Sequence, residues 1–184
     1  EIARRQVSVD GMDAKAEDAL PLLVFTPGVY SVTVDTAISS TPGLSVLADS
    51  PLARTPVQVQ AEPTAEFIKV VQDRVTEFLT ACATQEVLQP TACPFGYEVQ
   101  NRVVSTPKWS IERHPKVSVV PDGQHWSIPA TTAVARIQVD IMSLFDGHVE
   151  KVTEDVPFRV DGTITILADG SASIRVGSPD ADLD

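Results

Sequence analysis

The sequence changes its period once, and that change limits what the chain can fold into. Between Thr64 and Ala83, Phe67, Ile68, Val71, Val75, Phe78, Leu79 and Cys82 recur at steps of three and four. That spacing lays them along one stripe of an amphipathic α-helix. Thr64, directly after Pro63, supplies a capping hydroxyl, and Glu66 places an acid in the first turn, where the helix dipole favours it. Lys69, Gln72, Asp73, Arg74 and Thr76 occupy the opposite face, so one side packs and the other is wet. A second short helical turn is expected over 84–88, ended by Pro90. Beyond Cys93 the period is two. The stretches 97–105, 116–120, 125–128, 132–145, 148–160, 163–168 and 172–176 alternate as strands do. Asp122-Gly123, Asp146-Gly147 and Asp169-Gly170 sit between such runs and supply the positive φ angles of tight hairpin turns. Asp161-Gly162 reads as a bulge or a fourth turn.

Ahead of the helix the pattern is shorter. Stretches 5–9, 22–25, 29–34 and 56–60 look like strands separated by Pro27-Gly28, Pro42-Gly43 and Pro51, with one or two helical turns within 13–20. Ala61-Glu62-Pro63 marks a boundary. The expected class is α+β: a small β-rich module over 1–62 and a domain over 63–177 in which the helix packs on a curved antiparallel sheet, with an acidic tail over 178–184. Sixty residues make a small core for an independent module.

Composition removes several classes of function. The 14 Lys+Arg against 25 Asp+Glu give a net charge of −11, the wrong sign for displacing counterions from nucleic acid. A chain 43% hydrophobic and 21% charged can bury a core. It has no apolar run of the ~20 residues a membrane span needs. Glycine loops that cradle phosphate and Gly-x-Ser-x-Gly elbows are missing, and no cofactor is implied. His114, His125 and His148 lie beside Pro115, Gly123 and Gly147, in turn contexts without metal-ligand spacing. The two cysteines, Cys82 and Cys93, are too few for a structural zinc site and are not spaced C-x-x-C. They read either as a disulfide stapling the helix end to the next segment or as two buried thiols. The even count and the Pro-bearing loop favour the disulfide, worth about 3 kcal/mol for a loop of this size.

Alternation also shows which polar residues fall on an apolar face. Asn101 falls in step with Tyr97, Val99 and Val103, and Glu154 with Val152, Val156, Phe158 and Val160. A carboxylate in an apolar cone has a raised pKa and can serve as a general base. One reading therefore makes Glu154 a base and Asn101 a polariser. The other puts Glu154 outside through a bulge near Pro157, with both residues making structural hydrogen bonds or ion pairs. Trp109, Trp126 and Tyr97 are candidates to line a carbohydrate or peptide groove, although large rings in a chain with 5% aromatics more often fill the core.

One helix followed by a curled antiparallel sheet resembles the cone of the nuclear transport factor, or cystatin-like, superfamily. The order Val7-x-Val9-x-Gly11, Pro27-Gly28-Val29-Tyr30-x-Val32, helix, then sheet resembles, over essentially the whole chain, the extracytoplasmic region of bacterial zinc-ribbon membrane proteins of the teicoplanin-resistance-associated type. The start at Glu1 reads as a cut from something longer. The resemblance implies a zinc ribbon and a membrane helix upstream, and hence a membrane-anchored, extracytoplasmic place in the cell envelope. It also implies a non-enzymatic binding or scaffolding role, toward an envelope protein or a small apolar or peptide ligand. The alternatives are a cone-fold isomerase or dehydratase using Glu154 and Asn101, or a carrier holding an apolar ligand in the concave face.

Overall fold

The computed structural model describes residues 6–9, 12–15, 23–51, 53–57, 59–122, 125–167 and 172–177. In chain order these form β1 (Gln6–Val9), β2 (Met12–Lys15), β3 (Gly28–Val34), β4 (Ser39–Ser40), β5 (Leu44–Ala48), β6 (Glu62–Pro63) and helix α1 (Ala65–Ala83). β7 (Arg102–Val103), β8 (Lys108–Arg113), β9 (Val120–Asp122), β10 (His125–Met142), β11 (Val149–Ile166) and β12 (Ala172–Gly177) follow. The class is α+β, one helix packed on a curved antiparallel sheet and preceded by small β-modules. The chain divides into two compact units, the described parts of Glu1–Lys69, Val120–Trp126 and Thr165–Ser173, and those of Val70–Val119, Ser127–Ile164 and Ile174–Asp184. The division falls inside the helix, at Lys69.

The first unit is built on a four-stranded antiparallel sheet in the order β2-β1-β3-β5, with Val7 opposite Val34 and Val29 opposite Leu47. Val32 and Val34 point into its core. Beyond β3 the Thr36 hydroxyl accepts from the Ser39 N–H at 2.9 Å and returns the chain as β4, which pairs with β6. That pairing delivers Thr64 to the helix start. Its N–H donates to Ile38 O (3.0 Å) and its hydroxyl donates to Ala37 O (2.9 Å). The same hydroxyl accepts from the Phe67 N–H at 3.2 Å, which is the expected N-cap. Phe67 meets Trp126 edge-on, with ring centres 5.7 Å apart.

The second unit gathers around β10. One edge of β10 pairs with β11, which in turn pairs with β12, while β8 and β7 pair with β10 at successive positions along it. Ala133, Ala135, Ile137, Val139 and Ile141 of β10 are buried, as are Val71, Val75, Leu79 and Cys82 of α1, so both predicted apolar faces are inside. Leu79, Val75 and Val71 have no exposed surface at all. Gln72 on the helix flank accepts from the Val117 N–H (2.9 Å) and donates to Pro115 O (3.1 Å).

Several expectations need correction. The runs 125–128 and 132–145 are one strand, and 148–160 and 163–168 are another, because Pro129 and Asp161-Gly162 do not break the ladders. A Cβ on Gly162 would stand 2.5 Å from the Arg175 carbonyl oxygen, so this glycine permits the close approach of two backbones within a continuous strand. The hairpin at Asp146-Gly147 is present, with Gly147 at φ 72° and the Ser143 N–H donating to His148 O. No helical turn forms over 84–88. The Thr84 N–H and hydroxyl both donate to Ala81 O, which closes the helix at Ala83. Segments 23–25, 97–101 and 114–119 lie outside strands, as do the described residues of 56–60, whereas β2, β5 and β8 are strands that the sequence pattern did not single out. Asp169-Gly170, Gly123, most of 13–20 and the tail 178–184 lie outside the described residues. The membrane-anchored, extracytoplasmic placement is also corrected. Among the described residues no helix is long and apolar enough to cross a membrane, and α1 carries Glu66, Lys69, Asp73, Arg74 and Glu77 along its length.

Removing buried volume and adding it where none exists should both be costly. Leu79→Ala is expected to lower the unfolding free energy by about 2–5 kcal/mol. Gly162→Ala is expected to lower it by about 1–3 kcal/mol by forcing β11 and β12 apart. Urea titration followed by far-ultraviolet circular dichroism measures both, and an unchanged midpoint for Gly162→Ala would contradict the close approach.

Candidate functional site

Cys82 and Cys93 form a disulfide with a Cα–Cα distance of 5.8 Å, as the staple reading expected. It joins Cys82, buried in the last turn of α1, to the loop that follows. Within that loop the Gln85 side chain accepts from the Thr91 N–H (2.8 Å) and donates to Thr91 O (3.2 Å). Ala92, next to the bridge, takes the left-handed conformation (φ 58°), which costs a non-glycine residue roughly 1 kcal/mol or more. Two bonds fix the middle of the loop from other directions. The Trp109 indole N–H donates to Val87 O at 2.7 Å, and the Tyr97 N–H donates to Leu88 O at 2.9 Å. Phe95 anchors the returning chain, its ring 4.9 Å from Trp109 and 5.1 Å from Phe158.

These constraints set Leu88 and Gln89 beside Tyr97, Glu98, Val99 and Gln100, and the two stretches line an open surface groove of about 630 Å³. Leu88, Tyr97 and Val99 are half-buried there, while Gln89, Glu98 and Gln100 are exposed. At one end the Tyr97 hydroxyl donates to Glu154 Oε2 at 2.6 Å. This bond, then desolvation, then the charges of Glu154 and Glu150 hold the Tyr97 hydroxyl above the ordinary tyrosine pKa, since each disfavours the charged phenolate.

The residues singled out in the sequence are thus dispersed. Tyr97 and Glu154 come together. Glu154 is exposed rather than enclosed, because the first half of β11 runs past the covered part of the sheet: Val152 and Val156 on its face are half-buried, and only Phe158 and Val160 are buried. Asn101 is exposed, with Oδ1 at 3.5 Å from the Leu144 N–H, a weak contact with a different partner. Trp109 belongs to the aromatic core of the second unit and Trp126 to the first, where its indole N–H finds no hydrogen-bond partner among the described residues. His114, His125 and His148 are exposed, and no group of three metal-ligating side chains occurs among the described residues. Leu88, Gln89, Glu98, Val99 and Gln100 were not singled out. The signal that pointed toward them was the strand-like alternation of 97–105 beside the cysteine loop.

Elsewhere the polar chemistry is that of a solvated surface. Arg136 grips Asp155 with two bonds (2.6 and 3.1 Å) and reaches Glu112 at 3.1 Å. The Asp155 carboxyl is held below its usual range by that guanidinium. Exposed pairs of this kind contribute little.

Comparisons of the chain with protein-family models, with curated proteins and with solved structures found no match.

The Tyr97–Glu154 bond has a measurable sign. Tyrosine ionises on losing its proton, so a folded-state pKa above the unfolded value stabilises the fold below about pH 10, and that contribution is lost as pH rises through the folded value. Glu154→Gln is expected to bring Tyr97 down toward the ordinary range. Ring-carbon chemical shifts of Tyr97 against pH measure this, and an unchanged midpoint would contradict the bond.

Proposed function

We propose that the protein is a non-enzymatic binding module that holds a segment of a partner protein in the groove between Leu88–Gln89 and Tyr97–Gln100. The observation that carries this reading is that both walls are fixed before any partner arrives. The disulfide, the Trp109 bond to Val87 and the Tyr97 bond to Leu88 hold one wall against the other. A site ordered in advance loses less conformational entropy on binding. The lining mixes half-buried apolar side chains with exposed polar ones, as protein-binding surfaces do. Inside, Trp109 and Phe158 both pack on the Phe95 ring, and recognition is assigned to the surface. Glu154, the side chain an enzyme reading would need, is exposed and takes the Tyr97 hydroxyl.

An array of immobilised twelve-residue peptides of varied sequence tests the reading. The wild-type protein is expected to retain a defined subset, Val99→Lys to reduce that retention at least tenfold, and Arg136→Ala, on the outward face of β10, to leave it unchanged. Retention of no peptide, or equal retention by Val99→Lys with a native circular dichroism spectrum, would sink the proposal.

A further inference from the structure

The geometry points to a mode of capture, resting on the groove reading above: Tyr97–Gln100 is an open strand edge that takes up an extended peptide carrying alternating basic and apolar residues. The stretch has a strand's sequence, Tyr97 and Val99 alternating with Glu98 and Gln100, and its side chains alternate in burial accordingly. Yet pairing begins only at Arg102, with Met142 opposite it. Both ends are pinned, by the Tyr97 N–H on Leu88 O and by the Val104 N–H on Asp140 O at 3.0 Å. Between them, among the described residues, the N–H groups of Glu98, Val99 and Gln100 donate to no protein acceptor. Backbone groups left open beside a groove are a template for strand addition, in which main-chain bonds provide affinity and alternate side chains provide selectivity.

The lining selects the occupant. Leu88 and Val99 offer apolar surface to every second side chain of an added strand. Glu98 stands exposed on the edge itself, and at the Tyr97 end Glu154 lies within hydrogen-bonding distance of the ring hydroxyl, with Glu150 near enough for its charge to be felt there. Among the described residues no Lys or Arg lines the groove. The complementary partner is therefore a segment in which Lys or Arg alternates with Val, Ile or Leu, and a lining of this charge repels acidic segments.

The test uses the full chain, ¹⁵N-labelled, at 150 mM NaCl, with the acetylated and amidated hexapeptide Lys-Val-Lys-Val-Lys-Val as probe. Two analogues carry N-methyl groups on residues 1, 3 and 5 or on residues 2, 4 and 6, and a third has Glu for each Lys. Expected are shifts confined to the groove, at least tenfold slower exchange of one or more amides of Glu98, Val99 and Gln100, and at least tenfold weaker binding by one N-methyl series but not the other. The Glu peptide is expected not to bind. Binding with both N-methyl series equal, the signature of mere attraction to an acidic surface, overturns strand addition, and so does binding without protection of any of the three amides. If the hexapeptide fails while array peptides are still held in the groove, the strand-addition inference is wrong and the binding role stands. If neither assay finds a groove ligand, the binding role itself is wrong.

Discussion

β10 has both of its edges occupied, and the second unit depends on that. A strand paired on both sides has no freedom to shift register without losing two ladders at once. Its odd residues from Ala133 to Ile141 are therefore committed to the interior and its even residues to water. The bulge between Val134 and Ala135 is the one place where the partnership with β8 slips, and it separates the part of β10 paired with Arg113 from the part paired with Ile111 through Lys108. On the wet face, Arg136 links three strands by holding Asp155 of β11 and Glu112 of β8. With 35% of its side chain exposed, that network adds orientation more than stability. Cohesion comes from the apolar face, where burial is complete at Ala133, Ala135 and Ile137.

What could be read from the sequence was what depends on neighbours in the chain. The helix, its cap at Thr64 and its buried stripe follow from local spacing, and they appear within one residue of where the pattern puts them. The disulfide followed from the count and the loop between the cysteines. Strand lengths did not follow. The gap expected between 125–128 and 132–145 falls at Pro129, which is exposed and lies inside a strand that continues past it. Asp161-Gly162 reads as a bulge or a turn, and the missing Cβ of Gly162 allows the Arg175 carbonyl to come close within a continuous strand. The second helical turn does not form: the Thr84 N–H turns back to Ala81 O and the Gln85 N–H to Cys82 O, the tightened bonds of a closing last turn.

The site shows the same limit at a longer range. Tyr97 and Glu154 were each noticed, but a hydrogen bond across 57 positions has no signature in either neighbourhood. Parity placed Glu154 on the face of Phe158 and Val160. How far along that face the core extends is decided by what covers it, and the cover stops short of Glu154. Alternation identifies a face; it does not say where burial ends.

Of the stretches that were expected to be strands and join no sheet there, two have different fates, which show why one of them attracts a functional reading. Between His114 and Val119 the backbone finds a substitute partner. Gln72 bonds Pro115 O and the Val117 N–H, and Pro115, Val117 and Val119 are buried behind it. The need of a buried polar backbone for partners is met from a helix side chain. Between Tyr97 and Gln100 no such substitute is present among the described residues. The N–H groups of Glu98, Val99 and Gln100 are left to solvent instead, in a stretch that lines an open groove. Water is a partner that another chain can displace at little enthalpic cost, provided that chain brings carbonyls at the spacing of a strand. The same sequence pattern thus closes the structure in one place and leaves it open in the other, and what differs is the presence of Gln72.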